Sequence, residues 1–591
     1  MERLQNFLKQ RSGGSGRTSN DATNNGQPPS PGILTNSRQN DLIPGFRLTE
    51  LQSSAPLHQR LKALKELGEF VANKRLNQDT IPFLFLQVSD ILNASEYGIN
   101  DNVQSIDRAT DNAIDLRVAA WQFYIRLIQG QMEILNTMRL VFFNLIRNYP
   151  KSRTEEVQLR LEMLKVLTEN GKNLDYFRAD IGDFLLKFLS DEILPGQLSL
   201  AIPFLSMLIN IFKYHAMCLQ QPTVAGLVEN TCQLIEKRMK NNDVVVQCLA
   251  LFEVIPNNCA IPPESINSYT ESLCLTVFTP EHKDTTWRIM KQILQTHVGH
   301  AVIKSLCVFL QDRINHSKVH VLRGAVHFIA GTLWGDQRQT SLKHKPDAII
   351  PCFVECCNCK HPLVCGEIAK AVHSLIEKQG PNLQLYTWSL IIDVCEMLVN
   401  NFDLKSAHID ATNRDFTEKV HLLLTVVEDI SNKGTCFLGR PDKLHTILEK
   451  CASARPEESA LNLIDIRAEA IDSSKADWIM SLRSLMEIFY KKDNRTSVRL
   501  RALEVLASVL GANRHTHEEA LIDNVVFEFL GNVHNESDCK IRDRVVQLIV
   551  DMLQECKLAK KCNEMLDIIR QVSDYWTKFH HLTKIVTTLD P

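Results

Sequence analysis

The densest cluster of potentially reactive side chains lies between residues 351 and 365. Its members are Cys352, Cys356, Cys357, Cys359, His361 and Cys365. Thiolates and imidazoles are the ligands of structural zinc sites, and Cys356 and Cys359 have the Cys-x-x-Cys spacing typical of such sites. Zinc sites usually combine two ligand pairs across a longer loop, whereas all these candidates lie in one short run.

Core packing is the alternative interpretation of this run, and we favour it. On a helix, Cys352, Cys356 and Cys359 would share one face at four- and three-residue spacing, and free cysteine is among the residues most often buried. A redox role for Cys356 and Cys359 requires a strand followed by a helix, and the sequence offers no strand. The pattern therefore predicts buried thiols and no metal.

Other candidate chemistry is sparse along the chain. Five histidines fall in one region and invite a ligand hypothesis: His297, His300, His316, His320 and His327. A zinc-protease motif is missing, because His517-Glu518-Glu519 lacks the second histidine. The sequence contains no phosphate-binding Gly-x-x-x-x-Gly-Lys loop, no Gly-x-Ser-x-Gly elbow and no kinase motifs. We predict no catalytic, cofactor-binding or metal-binding residues, and hence a non-enzymatic chain.

Composition narrows the classes of function further. The 591 residues carry 66 Lys and Arg against 69 Asp and Glu, so the basic surface of a nucleic-acid-binding protein is not expected. The 17 cysteines suit a reducing compartment, since the N-terminus has no apolar signal segment. We also expect no membrane span, because the longest apolar candidate, AIPFLSMLINIF, is short and contains Pro203. These observations favour a reduced cytosolic or nuclear protein, and of these two we predict a cytoplasmic one.

Helical periodicity dominates the chain from Leu51 onward. In 496–512, Val498, Ala502, Val505, Leu506 and Val509 fall on one helical face. Further helices are predicted at 159–167, 249–255 (ending at Pro256), 301–310, 321–333, 368–376, 422–430 and 545–553. The predicted breaks are Tyr149-Pro150, Asn170-Gly171, Leu194-Pro195, Ile261-Pro262-Pro263 and Gly380-Pro381.

A repeated pair, an apolar residue followed by arginine, indicates that these helices form repeats. It occurs at Leu116-Arg117, Leu159-Arg160, Leu322-Arg323, Val498-Arg499 and Ile541-Arg542, at intervals of 43, 163, 176 and 43 residues. The two long intervals each divide by four into values close to the period of HEAT and armadillo repeats, about 40 to 47 residues. Asp493 and Asp538 precede the last two pairs, where they can cap helices, while the arginines can pair with neighbouring acids.

The predicted architecture is an all-α solenoid of HEAT/armadillo-type helical pairs. Residues 1–48 are predicted to be a disordered leader because, from about Arg11 to Asp41, they are almost free of apolar side chains. Residues 49–582 would form about a dozen helical pairs, and residues 583–591 a C-terminal tail. Separate helical bundles are the alternative to one array.

Several segments resemble the N-terminal region of the tuberin family, the GTPase-activating subunits of the tuberous sclerosis complex. The similar segments are MRLVFFNLIRNYP (138–150), LTENGKNLDYF (167–177), THVGHAVIKSLCVFLQDR (296–313), VLRGAVHFIAGTLWG (321–335) and RPEESALNLIDIRAEAI (455–471). None is a catalytic signature. The resemblance is carried by their shared order over about residues 50–575.

This resemblance implies a non-catalytic scaffold arm. In the family, the region binds the coiled coil of hamartin, within a complex that stimulates GTP hydrolysis by Rheb and so restrains TOR signalling and cell growth. Contact with Rheb would be indirect, because the catalytic module of the family lies far towards its C-terminus. We expect that the residues after Leu582 do not supply this module. It also implies a cytoplasmic protein that can be recruited peripherally to the lysosomal surface.

Two other functions fit the composition. A GTPase activator in its own right would need a placed arginine or asparagine beside the phosphates, for which the sequence shows no site. A cargo- or GTPase-binding adaptor of the nuclear-transport type fits the helical pattern equally well. The resemblance alone favours the scaffold arm.

Overall fold

Every regular element in the described part of the chain is a helix, which confirms the predicted fold class. The computed structural model describes residues 49–52, 54–93, 106–149, 154–196, 198–402, 411–432, 441–513, 517–556 and 558–572. Within these ranges there is no β-strand. The predicted leader (residues 1–48) and the predicted tail (residues 583–591) lie outside the described residues.

The first compact unit, Met1–Arg139, has three long helices among its described residues. They are α1 (Leu57–Asn73), α2 (Thr80–Asn93) and α3 (Ile106–Gln131). The buried amide of Gln131 closes the turn after α1: its Nε2 donates to the carbonyls of Val71 and Lys74, both at 2.7 Å, and its Oε1 accepts from the Leu76 N–H at 2.9 Å. The Tyr124 hydroxyl donates to the Phe85 carbonyl at 2.9 Å and so ties α3 to α2.

The second compact unit starts at Leu140, within α4 (Met138–Asn148). Its helices follow one another with short turns. The first group is α5 (Thr154–Leu167), α6 (Ile181–Phe188), α7 (Leu198–His215), α8 (Gln221–Arg238), α9 (Asn242–Asn258), α10 (Ile266–Thr276), α11 (Lys283–Leu294), α12 (Gly299–Gln311) and α13 (Val319–Leu333).

The second group continues the same pattern towards the C-terminal end of this unit. It comprises α14 (Pro346–Cys356), α15 (Pro362–Gln379), α16 (Leu385–Asn401), α17 (Ala411–Asn432), α18 (Pro441–Lys450), α19 (Glu457–Ala470), α20 (Trp478–Leu485), α21 (Thr496–Asn513), α22 (Glu518–Leu521), α23 (Phe527–Leu530), α24 (Cys539–Glu555) and α25 (Ala559–Arg570). Three π-helical turns extend or join these helices, at Leu189–Ile193, Met486–Lys491 and Ile522–Val526.

Alternate helices of the second unit stack into two layers. In layer A, successive contacts run through α5, α7, α9, α11, α12, α14, α16 and α18; layer B contains α6, α8, α10, α13, α15, α17, α19, α21 and α24. The apolar face of each helix is buried between the layers, as in helical-repeat proteins. Among the described residues, α17 and α19 approach each other less closely than any other successive helices of layer B.

The repeat period is visible in hydrogen bonds between successive turns. The His215 Nε2–H donates to the Lys172 carbonyl at 2.8 Å, Asn401 Nδ2 to the Cys357 carbonyl at 3.1 Å, and Arg495 Nη2 to the Ala452 carbonyl at 2.9 Å. The partners are 43, 44 and 43 residues apart. Equivalent turns of neighbouring units therefore contact each other at the predicted period.

One interval used for the sequence prediction is wrong. Arg323, Arg499 and Arg542 lie on α13, α21 and α24, which belong to layer B, and four layer-B steps separate the first two as predicted. Arg160 instead lies on α5, in layer A, so the 163 residues to Arg323 do not count four equivalent steps. The interval still comes close to four periods because α11, an additional layer-A helix that makes a three-helix unit with α12 and α13, lengthens the chain between the two arginines.

The predicted capping and pairing occur near the last two arginine pairs. The Asp538 carboxylate caps α24 by accepting from the backbone N–H groups of Lys540 at 2.9 Å and Ile541 at 3.4 Å. Arg499 donates through Nη2 to Glu536 at 2.5 Å in the preceding turn of the next unit. Asp493 does not cap α21, because its carboxylate binds the backbone N–H and guanidinium of Arg495 instead.

The turn after α5 requires a glycine. Gly171 has a φ of +83°, in the left-handed region, and a Cβ there would lie 2.5 Å from the Met207 carbonyl oxygen on α7. Glu169 and Asn170 also have positive φ, and Asn210 donates to the Asn170 carbonyl at 2.8 Å. The predicted break at Asn170-Gly171 is therefore a tightly packed loop.

Two prolines that were expected to interrupt helical segments lie inside continuous helices. Pro256 lies inside α9, which continues to Asn258, and Pro203 lies inside α7. Because α7 continues through Pro203, the segment Ser199–Cys218 is long and apolar enough to span a membrane by length and composition alone. Half of its most apolar stretch is buried within the fold, where α7 packs against α5 and α9. Packing in the protein core therefore accounts for apolar residues in this segment.

Candidate functional site

The cysteine-rich run forms the end of α14, a 3₁₀ turn and the start of α15. Cys352, Cys356, Cys357 and Cys365 are buried, in agreement with the packing interpretation. Cys359 differs from the prediction: it lies in the 3₁₀ turn Cys357–Cys359, not on the helix, and is half-buried. Lys360, next in sequence, has a φ of +51° and reverses the chain into α15.

The thiols elsewhere in the core are held protonated by their surroundings. Burial raises the pKa of Cys395 to about 12 and that of Cys232 to about 12 as well. Such thiols behave as small apolar side chains. In the ranges that the structure describes, no three His, Cys, Asp or Glu side chains are arranged to hold a metal ion.

The five histidines singled out from the sequence do not converge on one site. His297 and His320 are exposed, and His300 Nδ1 lies 2.9 Å from Nε2 of His344. His316 lies in the turn before α13. His327 belongs to a polar network on α13, described next.

An ion network joins α13 to α15. Trp287 Nε1 donates to His327 Nε2 at 3.2 Å. Because Nε2 accepts this bond, a ring proton is assigned to Nδ1, which lies 2.9 Å from Glu367 Oε1. Arg323 stacks 3.6 Å from the centre of the Phe278 ring. Burial raises the pKa of Glu367, but the His327 hydrogen bond and nearby cations outweigh burial and hold this pKa below its usual range.

A surface cleft of about 690 Å³ opens where α17 and α19 separate. Six α17 side chains line it at helical spacing: Arg414, Thr417, Glu418, His421, Leu422 and Thr425. The facing turns contribute Ser453, Ala454, Pro456, Lys492, Asp493, Asn494 and Arg495. We call this concavity the α17 cleft.

One wall of the α17 cleft is held rigidly by Arg495. Its guanidinium binds both carboxylate oxygens of buried Asp493, at 3.0 and 2.6 Å, and donates to the carbonyls of Arg455 at 2.6 Å and Ala452 at 2.9 Å. These bonds link the turn before α19 to the turn before α21. The wall therefore keeps its geometry independently of a ligand.

A buried ion pair adjoins the cleft. The side chains of Arg455 and Glu428 are 1% and 7% exposed, and Nη2 of the arginine donates to Oε2 of the carboxylate. Burial lowers the pKa of His421, and the positive charge of Arg455 lowers it further, so this ring is neutral near pH 7. Among the described residues, Arg455 Nε and Nη1, Glu428 Oε1 and His421 Nδ1 have no hydrogen-bond partner.

Sequence reasoning did not identify the α17 cleft. Its residues are ordinary helix-surface and turn types, and the lining comes from three segments that are far apart in the sequence. The available signal was the 3–4 spacing of polar residues at Arg414, Thr417, Glu418 and His421, which also describes any solvent-facing helix.

A second, smaller concavity of about 380 Å³ continues from the α17 cleft. It shares Ser453 and Lys492 and is otherwise lined by Thr446, Glu449, Lys450 and Ile488. The two concavities flank the 3₁₀ turn Ala452–Ala454, so the surface runs from layer B towards layer A. A groove of this kind suits an extended or helical protein segment better than a compact metabolite.

The two-layered stacking of helices defines a helical-repeat protein of the HEAT/armadillo class. In this class, binding takes place on the surfaces and grooves formed by successive units. A family model described as "Domain of unknown function (DUF3384)" matches residues 57–507. The chain belongs to this family.

Similarity to known proteins identifies the region as tuberin-like. A curated relative, the "Tuberous sclerosis 2 protein homolog" of Schizosaccharomyces pombe, is 24% identical over 246 residues, which cover 39% of this chain. The match spans 18% of that relative's length. A solved structure described as "Structure of the TSC2 N-terminus" superposes with a TM-score of 0.50 at 15% identity, covering 69% of this chain and 98% of that chain.

The structural similarity extends weakly to other helical repeats. A chain from a structure of Kap95p bound to RanGDP covers 91% of this chain and 75% of its own length, with 11% identity and a TM-score of 0.31. So low a score supports no functional argument. The predicted tuberin-type region and α-solenoid fold are confirmed by the closer matches.

Proposed function

We propose that this chain is a non-catalytic scaffold arm that binds the coiled coil of hamartin. The observation that carries the proposal is the sequence similarity to a Tuberous sclerosis 2 protein homolog, in a chain with the fold of the TSC2 N-terminus. Stacked helical pairs offer grooves in which an amphipathic helix or coiled coil can lie. Through this contact the arm supports a complex that stimulates GTP hydrolysis by Rheb and restrains TOR signalling and cell growth.

Co-elution with hamartin's coiled-coil region tests the binding step. We expect the two proteins to elute together in size-exclusion chromatography at micromolar concentration. The control is a coiled coil whose core positions are replaced by polar residues, which removes the apolar stripe and the complex with it. Separate elution of the unaltered pair contradicts the proposal.

A Rheb hydrolysis assay tests the non-catalytic role. The cleft residues offer no arginine placed beside a nucleotide-binding site, and we expect the isolated chain to leave the rate of GTP hydrolysis unchanged. Clear acceleration by the chain alone would make it an activator in its own right.

We also propose a cytoplasmic location with peripheral recruitment to the lysosomal surface. The family resemblance supports this location. Imaging of the fluorescently tagged chain, with and without hamartin, tests it, and a purely nuclear signal would contradict it.

A further inference from the structure

The α17 cleft carries side chains that the fold itself does not use. Arg414, Thr417, Ser453 and Asn494 make no side-chain hydrogen bond among the described residues, although all four line the cleft. Arg495 and Asp493, on the same lining, are fully engaged with each other and with neighbouring carbonyls. The cleft thus combines a fixed wall with a set of free donors.

Buried polar atoms concentrate at the same place. Among the described residues, the buried side-chain atoms without a hydrogen-bond partner include Nδ1 of His421, which lines the cleft. Buried polar groups are satisfied in most native proteins, so this ring nitrogen is one that a polar ligand in the cleft can engage. The other such atoms nearby belong to the Arg455–Glu428 ion pair, which lies outside the lining.

Charge on the lining favours an anionic ligand. Asp493 is neutralised by Arg495, which leaves Arg414 and Lys492 against Glu418. Lys492 lies 3.4 Å from Glu487, but its side chain is 59% exposed, and exposed pairs of this kind exchange easily. Two cations on the lining are therefore available to acidic side chains.

The rim is apolar where the charges end. Leu422 is 51% exposed although it lies on the helix that lines the cleft, and Pro456 is exposed opposite it. A single inorganic anion would leave this rim and most of the volume of about 690 Å³ unused. A protein segment that presents an acidic side chain beside an apolar one matches both features.

We propose that the α17 cleft binds an acidic, amphipathic peptide segment. Arg414 and Lys492 bind Glu or Asp carboxylates of the segment. The hydroxyls of Thr417 and Ser453 and the amide of Asn494 bind its backbone, and an adjacent apolar side chain lies on Leu422 and Pro456. This site does not depend on hamartin being the partner.

Fluorescence anisotropy with a defined probe tests the site. The probe is a fluorescein-labelled peptide of about 12 residues with alternating leucine and glutamate pairs on a helical pattern, and its twin carries glutamine for every glutamate. The intact chain is compared with the double variant Arg414→Ala, Lys492→Ala. The matched control is Lys240→Ala, Lys475→Ala, which removes two exposed cations away from the cleft.

We expect saturable binding of the acidic probe to the intact chain and to the control variant. The glutamine twin and the cleft variant should each bind about tenfold more weakly, because charge-assisted hydrogen bonds to the carboxylate are lost. Both cleft residues are exposed, so the variant should keep the helical circular dichroism and unfolding midpoint of the intact chain.

Three results would overturn the site. The first is no saturation up to about 1 mM probe, the weak limit of specific recognition. The second is equal weakening in the cleft and control variants, which would show a non-specific attraction. The third is displacement of the probe by inorganic phosphate as efficiently as by unlabelled peptide, which would make the cleft a simple anion site.

Discussion

Individual ionisable side chains in this protein are held in place across helices. Glu367 on α15 is 5% exposed, yet it lies beside His327 at 2.9 Å and Arg323 at 3.8 Å on α13. A buried carboxylate without such partners would take up a proton, because burial alone disfavours its charge. The network therefore keeps a negative charge between two helices of layer B.

The pH dependence of the free energy of unfolding of a Glu367→Gln variant tests whether this charge stabilises the fold. The folded pKa of Glu367 lies below its unfolded value of about 4.3, so its contribution is complete above that pH and is lost as pH falls through the folded pKa. We expect Glu367→Gln to lower the free energy of unfolding by about 1 to 2 kcal/mol at pH 7. The deficit should shrink towards zero below about pH 4.

Urea unfolding of both proteins at a series of pH values measures this difference. Asp336→Asn is a suitable comparison, since this carboxylate is exposed and pairs with Lys378 on the surface. A deficit for Glu367→Gln that is constant from pH 7 to pH 3 would assign its effect to packing and not to charge.

Helix packing in layer B depends on close backbone approach at one position. Gly324 on α13 faces α10, where a Cβ would lie 2.3 Å from the Cys274 carbonyl oxygen and 2.6 Å from its Cα. Both obstructing atoms belong to the backbone, so a side-chain rotation cannot relieve the contact. The separation of α10 and α13 is thus set by the absence of a side chain.

Two glycine-to-alanine substitutions should act in opposite directions. Gly324→Ala should destabilise the protein by about 2 to 3 kcal/mol, because α13 must move away from α10. Gly511→Ala, also in a helix but with no atom within 4 Å of its new Cβ, should stabilise by up to about 1 kcal/mol through helix propensity. Midpoints of urea unfolding give both values, and a similar loss in both variants would contradict the packing argument.

Helices and their period were predictable from the sequence, whereas their assignment to layers was not. The 3–4 spacing that predicts 321–333 and 496–512 reflects one buried face per helix, and α13 and α21 confirm it. The same spacing does not reveal that α11 is an extra helix in its repeat, because its amphipathic pattern is like that of the other helices. The α17 cleft depends on how far two helices separate, and that distance depends on side chains from three segments of the chain.

At the scale of the whole molecule, contacts within the second compact unit connect neighbouring helical repeats. The hydrogen bonds between turns, and ion pairs between successive helices of one layer such as Lys443–Asp393, join residues roughly 40 to 50 positions apart. Stability in such an array is a sum of unit and interface contributions. Damage to one interface should consequently stay local.

Glu428→Gln tests how far a local loss spreads. The substitution leaves Arg455 as an uncompensated buried cation, which typically costs about 3 to 5 kcal/mol. We expect hydrogen–deuterium exchange to accelerate in the described helices between residues 411 and 513 and to remain unchanged in the described helices of the first unit. Arg501→Ala, which removes an exposed pair with Asp465, is the control and should alter exchange little.

Uniform acceleration across both units would contradict this expectation. It would mean that the chain unfolds as one cooperative whole and that the interface around Arg455 supports every other interface.

The extra helix α11 acts like a phase shift in a periodic signal. Helices alternate between the layers in the same order before and after α11, but α11 adds one layer-A helix to its unit. A count in fixed steps of about 43 residues across α11 therefore moves from a layer-A helix to a layer-B helix, as it does from Arg160 to Arg323. Substitution effects measured on one side of α11 therefore transfer to the other after a correction of one helix.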